Sequence, residues 1–281
     1  MRIALVTATE LPRPDTDLPL LVDAFAARGA HAEPVAWDDP TADWAAFDVA
    51  LLRSTWNYVA HLRAFREWLD RVEAATRLVN PHGTVTWNLH KRYLHDLAGA
   101  GVAVVPTELV PHAVQPDWNA LFDRFGELVV KPAISAGSFA TVRVAAGDVR
   151  AAREHRQAHA DRDLLVQPLL ASVVAHGEDN LVHLGGTFSH AIHKGPRWAG
   201  QPEQSRGLVQ PADDELALAR DVLRAVAELG HGTPAYARVD VARAADGTPV
   251  LMELELVEPA LYLDRAPRAA GTLADAVLAR A

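Results

Sequence analysis

The densest chemistry in this sequence lies in Tyr236-Ala237-Arg238-Val239-Asp240-Val241, then Asp246-Gly247, then Val250-Leu251-Met252-Glu253-Leu254-Glu255-Leu256. Asp-Gly between two alternating segments is a strong hairpin signal, and a two-residue loop sets which residues oppose each other. With Ala245 opposite Thr248, Asp240 faces Glu253 and Arg238 faces Glu255, all four on one side of the ribbon. The other side carries Ala237, Val239, Val241, Met252, Leu254 and Leu256, an apolar surface for a core. Carboxylates opposed across a strand pair repel unless a cation lies between them. Asp240, Glu253 and Glu255 offer only hard oxygen ligands, which suits Mg²⁺ or Mn²⁺ and does not suit zinc. Arg238 beside them is a candidate catalytic residue, able to hold a phosphate oxygen or steady a developing anion. The plain alternative is a solvent-facing hairpin with one surface ion pair, and a bulge near Asp246 would shift the register.

Other residues fit the same chemistry. Leu128-Val129-Val130-Lys131-Pro132 reads as a short apolar strand ending in a lysine, and a buried lysine needs an anion to meet. The small residues after it, Ala133-Ile134-Ser135-Ala136-Gly137-Ser138, form either a plain turn or a loop whose backbone N–H groups close over phosphates. Leu164-Leu165-Val166-Gln167-Pro168-Leu169-Leu170 is an apolar strand stopped by proline. It is either a core strand or a slot in which free backbone groups read an adenine edge. Lys91 falls in the first turn of a helix expected from Leu89 to about Gly99, capped by Asn88 and closed by Gly101. Arg53-Ser54-Thr55-Trp56-Asn57-Tyr58 follows the C-terminal end of an apolar strand, where open α/β sheets place ligands, so Arg53, Ser54, Trp56, Asn57 and Tyr58 are candidate substrate-binding residues.

The elements that must position these residues fall into three groups. Residues 1–85 read as a small parallel α/β domain: a strand over Ile3 to Val6, a helix over Leu18 to Ala27 ending near Gly29, a strand over Asp48 to Leu52, a helix over Leu62 to Ala75 and a strand over Arg77 to Val79. Residues 86–168 read as an α+β unit with short strands at Val102 to Val105, Glu127 to Lys131, Thr141 to Val144 and Leu164 to Gln167, and a helix near Asp148 to Ala160. Residues 169–281 read as a hairpin, a loop from Gly195 to Gln210, a helix from Asp213 to Leu229, the acidic hairpin and a terminal helix near Ala269 to Ala279. Trp37, Trp44, Trp68 and Trp118 are expected to pack in cores.

Composition excludes several classes. The 281 residues carry 36 acidic and 27 basic side chains, a net charge of −9, which argues against nucleic-acid and anionic-membrane partners. There is no cysteine, hence no disulfide, thiolate metal site or cysteine nucleophile. The apolar start is too brief for a signal peptide, and a cytoplasmic location is expected. The chain lacks G-x-x-x-x-G-K-[ST], a G-x-G-x-x-G after its first strand and a G-x-S-x-G elbow around Ser189-His190. His155 and His159 stand four apart, but no glutamate follows the first as a zinc protease helix requires.

The order of these pieces resembles the ATP-grasp superfamily along essentially the whole chain. The stretches "LRSTWNY", "NPHGTVTWNLHKRYL", "VVKPAISAGS", "QPLLASV", "GGTFSHAIHK", "YARVDVAR" and "LMELELVEPALYL" are similar to the branch that includes the cycloserine-forming O-ureido-D-serine cyclo-ligase. The resemblance implies an ATP-grasp fold with an N-terminal parallel α/β domain, using ATP and Mg²⁺ (or Mn²⁺). Lys91 and Lys131 match the nucleotide lysines, and Ser135, Ala136, Gly137 and Ser138 the loop over the phosphates. Gln167 and Leu169 match the adenine hinge, Glu178 the ribose acid, and Asp240, Glu253 and Glu255 the metal ligands, where many relatives carry Asn at the last position. Relatives commonly place an arginine for the acyl group after the lysine corresponding to Lys194, itself a candidate nucleotide contact. Here Arg197 and Arg206 both stand as candidates for that duty. The implied reaction is C–N bond formation on a small amino-acid-like substrate through an acyl phosphate, linear or ring-closing, in antibiotic or amino-acid-derived metabolite biosynthesis. A small-molecule phosphotransferase and a non-catalytic nucleotide sensor are the rival readings, and a homodimer is compatible with all three.

Overall fold

The structure is a computed structural model and describes residues 1–196 and 205–281. The chain begins with β1 (Arg2–Thr7), α1 (Asp17–Ala26), β2 (His31–Ala36), β3 (Val49–Leu52), α2 (Leu62–Ala75) and β4 (Arg77–Val79). The four strands form one parallel sheet in the order β2-β1-β3-β4. Ile3, Leu5, Val49 and Leu51 enter one core while Ala4, Val6, Ala50 and Leu52 enter another. Burial on both faces is why β1 and β3 read as unbroken apolar runs. The sequence reading misses β2 because it is an edge strand, with Pro34 inside it and half-exposed neighbours that interrupt any apolar pattern. Trp37, Trp44 and Trp68 pack edge to face around α2 as expected, and Trp118 is buried in the next unit.

The middle of the chain forms α3 (His82–Leu89), α4 (Tyr93–Gly99), β5 (Glu108–Val110), α5 (Trp118–Phe125), β6 (Leu128–Pro132), β7 (Val142–Val144), α6 (Val149–Ala158) and β8 (Leu164–Pro168). Its strands make an antiparallel sheet, β5-β8-β6-β7, with α5 and α6 closing its core. Two expectations are corrected here. The helix expected from Leu89 to Gly99 is two helices, and Asn88 lies inside the first rather than capping the second. Its buried amide donates to the Leu254 carbonyl and accepts from the Leu256 N–H, so it ties α3 to the end of the acidic hairpin. The strand expected over Val102 to Val105 is an extended segment with a single bridge from Val104 to Leu251.

The remainder forms α7 (Ala171–Ala175), β9 (Glu178–Leu184), β10 (Thr187–Lys194), β11 (Ser205–Val209), α8 (Asp213–Val226), β12 (Tyr236–Arg243), β13 (Pro249–Glu255) and α9 (Arg268–Leu278). These strands make a second antiparallel sheet, β11-β10-β9-β12-β13. The expected loop from Gly195 to Gln210 therefore contains a strand, β11, whose alternation is too polar to announce itself. Helix α9 returns to the first sheet and packs Ala270, Leu273 and Val277 beside Leu21 and Phe25 of α1. Among the described residues no helix is long and apolar enough to cross a membrane.

The acidic hairpin reaches its expected pairing by an unexpected route. Its turn holds three residues, not two: Ala244 opposes Thr248, and Gly247 takes φ +85°, a conformation that favours glycine. That shifts the register by one residue. A bulge between Asp240 and Val241 on one strand and Leu251 and Glu253 on the other shifts it back. Arg238 opposes Glu255 and Asp240 opposes Glu253, as expected. Met252, expected in the core, is the extra residue; Leu251 is buried in its place, and Met252 lines the cavity described next.

Candidate active site

A cavity of about 640 Å³, within the usual range of small-ligand sites, opens between the two antiparallel sheets and the C-terminal ends of the parallel strands. Its floor is the chemical face of β12 and β13. The Arg238 guanidinium donates Nε to Asp240 Oδ1 and Nη2 to Asp240 Oδ2, both at 2.8 Å, and Nη2 also donates to Glu255. This fork is geometrically ideal for one carboxylate and leaves the second with a single donor. Burial beside Asp240 and Glu253 accordingly pushes Glu255 up to about 8, against the pull of Arg238. Glu253 is the opposite case. Burial would raise it, but Lys91 at 3.0 Å and Lys131 at 4.0 Å hold it down to about 2.

The two lysines arrive from different elements. Lys131 is the penultimate residue of β6, and its burial depresses its pKa against the attraction of Glu253. Lys91 sits in the break between α3 and α4, where its N–H donates to the Ala133 carbonyl. That break aims its ammonium at Glu253 and at the Ser135 carbonyl, 2.9 Å away. The loop after β6 lies over the lysines, with Gly137, Ser138 and Ala140 all at positive φ. Successive amides in such a loop point into one concavity, an arrangement suited to anions. Glu178 starts β9 with Lys194 3.7 Å away, and burial raises its carboxyl.

Val129, Leu169, Leu170, Val173 and Met252 supply the apolar lining of the cavity. Free backbone groups were expected where this strand stops pairing; the Leu169 N–H is not one of them, since it donates to the Glu127 carbonyl at 2.9 Å. Pro168 removes one donor from the strand end, and the next amide closes back on the start of β6. Gln167 lines the cavity while its side-chain amide donates to Thr107.

The loop expected to bind substrate is divided. Trp56 and Tyr58 line the cavity, whereas Arg53, Ser54 and Asn57 do not. Arg53 is fully buried, donating to Asp17 at 3.2 Å and to the Pro259 carbonyl at 3.1 Å, and Asp17 also receives the N–H groups of Leu261 and Leu263. Its work is to clamp the segment after β13 onto the first sheet. Arg53→Met is expected to lower stability by about 3 kcal/mol, because Asp17 would keep its burial without its cation; urea unfolding measures it. The Ser54 hydroxyl donates to Thr7, and Asn57 bridges Trp37 and Asp38. Arg206 is an exposed residue of β11 with its guanidinium against Gly195, away from the cavity lining. Arg197 lies outside the described residues.

Among the lining residues that sequence reasoning missed are Arg13, Asn88, Tyr93 and Glu258. Arg13 carried a signal, a base between two prolines just beyond β1, at the sheet end where ligands bind. Glu258 is half-buried, and burial pushes its carboxyl up to about 7, against the opposing effects of the Tyr58 hydroxyl and Lys91.

The donor chemistry fits a hard divalent ion, with one correction. Among the described residues no three acidic or histidine side chains converge on a single ion position. Asp240 is taken up by Arg238, which leaves Glu253 and Glu255, both partly open to the cavity. Two carboxylates are what magnesium commonly takes from a protein when phosphate oxygens and water complete its octahedron.

Comparison with known proteins places this geometry. A family profile described as the N-terminal domain of D-cycloserine synthetase DcsG matches residues 3–80. Over 293 aligned positions the chain is 38% identical to the cycloserine biosynthesis protein DcsG of Streptomyces lavendulae, covering 97% of this chain and 98% of that one. A crystal structure of D-cycloserine synthetase DcsG superposes with a TM-score of 0.93 at 34% identity, over 100% of this chain and 99% of the other. The ATP-grasp ligase PsnB, complexed with a phosphomimetic variant of its minimal precursor, Mg and ADP, shares the fold at a TM-score of 0.66 and 19% identity, over 99% and 98% of the two chains.

Proposed function

Because the chain belongs to the D-cycloserine synthetase DcsG family of ATP-grasp ligases, we propose that it closes the ring of cycloserine or a close analogue on a small amino-acid derivative. It is an ATP-dependent ligase that forms a C–N bond. The observation that carries the residue-level reading is one cavity in which Lys91, Lys131, Glu253, Glu255 and the loop over Ser135 to Ser138 face each other.

In this reading the apolar lining at Leu169, Leu170 and Met252 covers the adenine, Glu178 meets the ribose, and Lys91, Lys131 and the loop amides hold the phosphates. Glu253 and Glu255 hold magnesium, with Arg238 and Asp240 behind them. Magnesium, when bound, neutralises the charge of the transferring phosphoryl group. The chain's own contribution is placement: the lysines and Arg238 keep the γ-phosphate in line with a substrate oxygen beside Trp56 and Tyr58, and the loop excludes water that would hydrolyse an acyl phosphate. Lys194, between Glu178 and Arg238, adds positive charge beside the phosphates. An enzyme that spends ATP works where ATP is supplied, and the cytoplasm is the compartment we assign.

Product analysis tests the reaction class. With O-ureido-D-serine, ATP and Mg²⁺, the expected result is ADP and inorganic phosphate released in equal amounts, with a cyclised product free of phosphorus by mass spectrometry. Phosphate retained on the product would instead make the protein a phosphotransferase, and ATP binding without stimulated turnover would make it a sensor.

A further inference from the structure

The charged side chains that line the cavity pair off, with two exceptions. Glu253 has Lys91 and Lys131, Asp240 and Glu255 share Arg238, and Glu178 has Lys194. Arg13 and Glu258 also line the cavity, and neither forms an ion pair with a described residue. Trp56 lies between them. Its indole N–H donates to the Glu258 backbone carbonyl at 3.1 Å, while the Arg13 guanidinium lies over its ring, 4.5 Å from the centroid. Arg13 and Trp56 come from loops of the first sheet, and Glu258 comes from the segment after β13 that Arg53 and Asp17 clamp in place.

A carboxylate has room for about four hydrogen bonds; the Tyr58 hydroxyl and the residue's own backbone N–H act on the Glu258 carboxyl, which leaves capacity for a ligand. A half-buried carboxyl that forms no ion pair favours a cation entering the cavity. Lys91 acts on Glu258 from beyond ion-pair distance and is itself engaged by Glu253, so a cation in direct contact with Glu258 would come from the second substrate. We propose that Glu258 is the specificity residue for the amino-acid end of that substrate. Its carboxylate receives the substrate's ammonium group, and Arg13 across Trp56 receives an oxygen-bearing group at the far end. This rests on the ligase reading above and adds to it a requirement for a free amine that does not take part in bond formation.

The test uses O-ureido-D-serine and its desamino analogue, with ADP release as readout. Glu258→Gln is expected to raise KM for O-ureido-D-serine about thirtyfold, the effect of truncating one side of a charged contact in a partly dry site. KM for ATP should stay within about twofold, which separates loss of this contact from general damage to the cavity. Wild-type enzyme is expected to prefer the amine over the desamino analogue by about thirtyfold or more in kcat/KM, and Glu258→Gln to erase that preference. Glu258→Asp keeps the charge and should retain the preference, and it serves in place of the amide if that variant does not fold. Unchanged KM in the variant, or a wild-type enzyme indifferent to the amine, would overturn the inference while leaving the ligase intact. No ADP release by wild-type enzyme with any amino-acid derivative would overturn the ligase reading, and this inference with it.

Discussion

Glu253→Gln is expected to cut turnover by about a thousandfold, on the order of 4 kcal/mol in the barrier, while the protein still folds. Three facts converge on this side chain. It lies where the ammonium groups of Lys91 and Lys131 meet, its carboxyl is held down to about 2, and it is partly open to the cavity. It is therefore fully ionised at neutral pH and available to an ion. The amide has the same shape but cannot neutralise two lysines or bind magnesium with the same strength. The backbone pairing of Glu253 with Asp240 does not involve the side chain, so the hairpin should keep its register. Steady-state ADP release and a circular-dichroism melt measure the two halves of the expectation. Activity within about tenfold of wild type would remove Glu253 from the metal site, since loss of a metal ligand costs far more.

Lys131→Ala is expected to weaken ATP binding roughly a hundredfold, about 2.8 kcal/mol, by isothermal titration calorimetry. Lys131 is buried at the end of β6, where burial lowers its pKa and Glu253 helps keep its proton. An ammonium held in so dry a place gives short, charge-assisted hydrogen bonds to phosphate, without the competition that water gives a surface lysine. The variant also removes the repulsion between Lys131 and Lys91, which offsets part of the loss and keeps the effect below that of Glu253→Gln. Unchanged affinity would mean that the phosphates lie elsewhere in the cavity.

Much of this site was legible because strands have a period of two. Arg238, Asp240, Glu253 and Glu255 share a face whatever the rest of the protein does, and their cross-strand partners came out as expected. The route was different, since a three-residue turn and a compensating bulge cancel at the site; only Met252 changed sides. A local pattern does not reveal a bulge, because the extra residue is chosen by packing against α8 and the cavity. Lys91 shows the same limit. It was expected in the first turn of a helix, but a helix break delivers it to Glu253, and Asn88 beside that break is hydrogen-bonded to residues more than 160 positions away.

The Arg53 to Tyr58 loop was read least well, and Arg53 shows why. A basic residue after a parallel strand is a fair ligand candidate, yet this one is buried against Asp17 and a carbonyl 206 residues further on. Glu258 and Arg13 lie in irregular segments with no periodicity to mark a face.

Sequence alone determined the elements whose side-chain directions follow from local backbone geometry: the apolar runs of β1 and β3, the lysine closing β6 and the four charged residues on one face of the final hairpin. Tertiary structure decided which carboxylate meets which cation, which residues of the Arg53 to Tyr58 loop line the cavity, and that Trp56 joins Arg13 to Glu258. Direction within an element is set over two to four residues by backbone dihedrals, whereas these encounters depend on how separate sheets pack, through contacts between residues far apart in the chain.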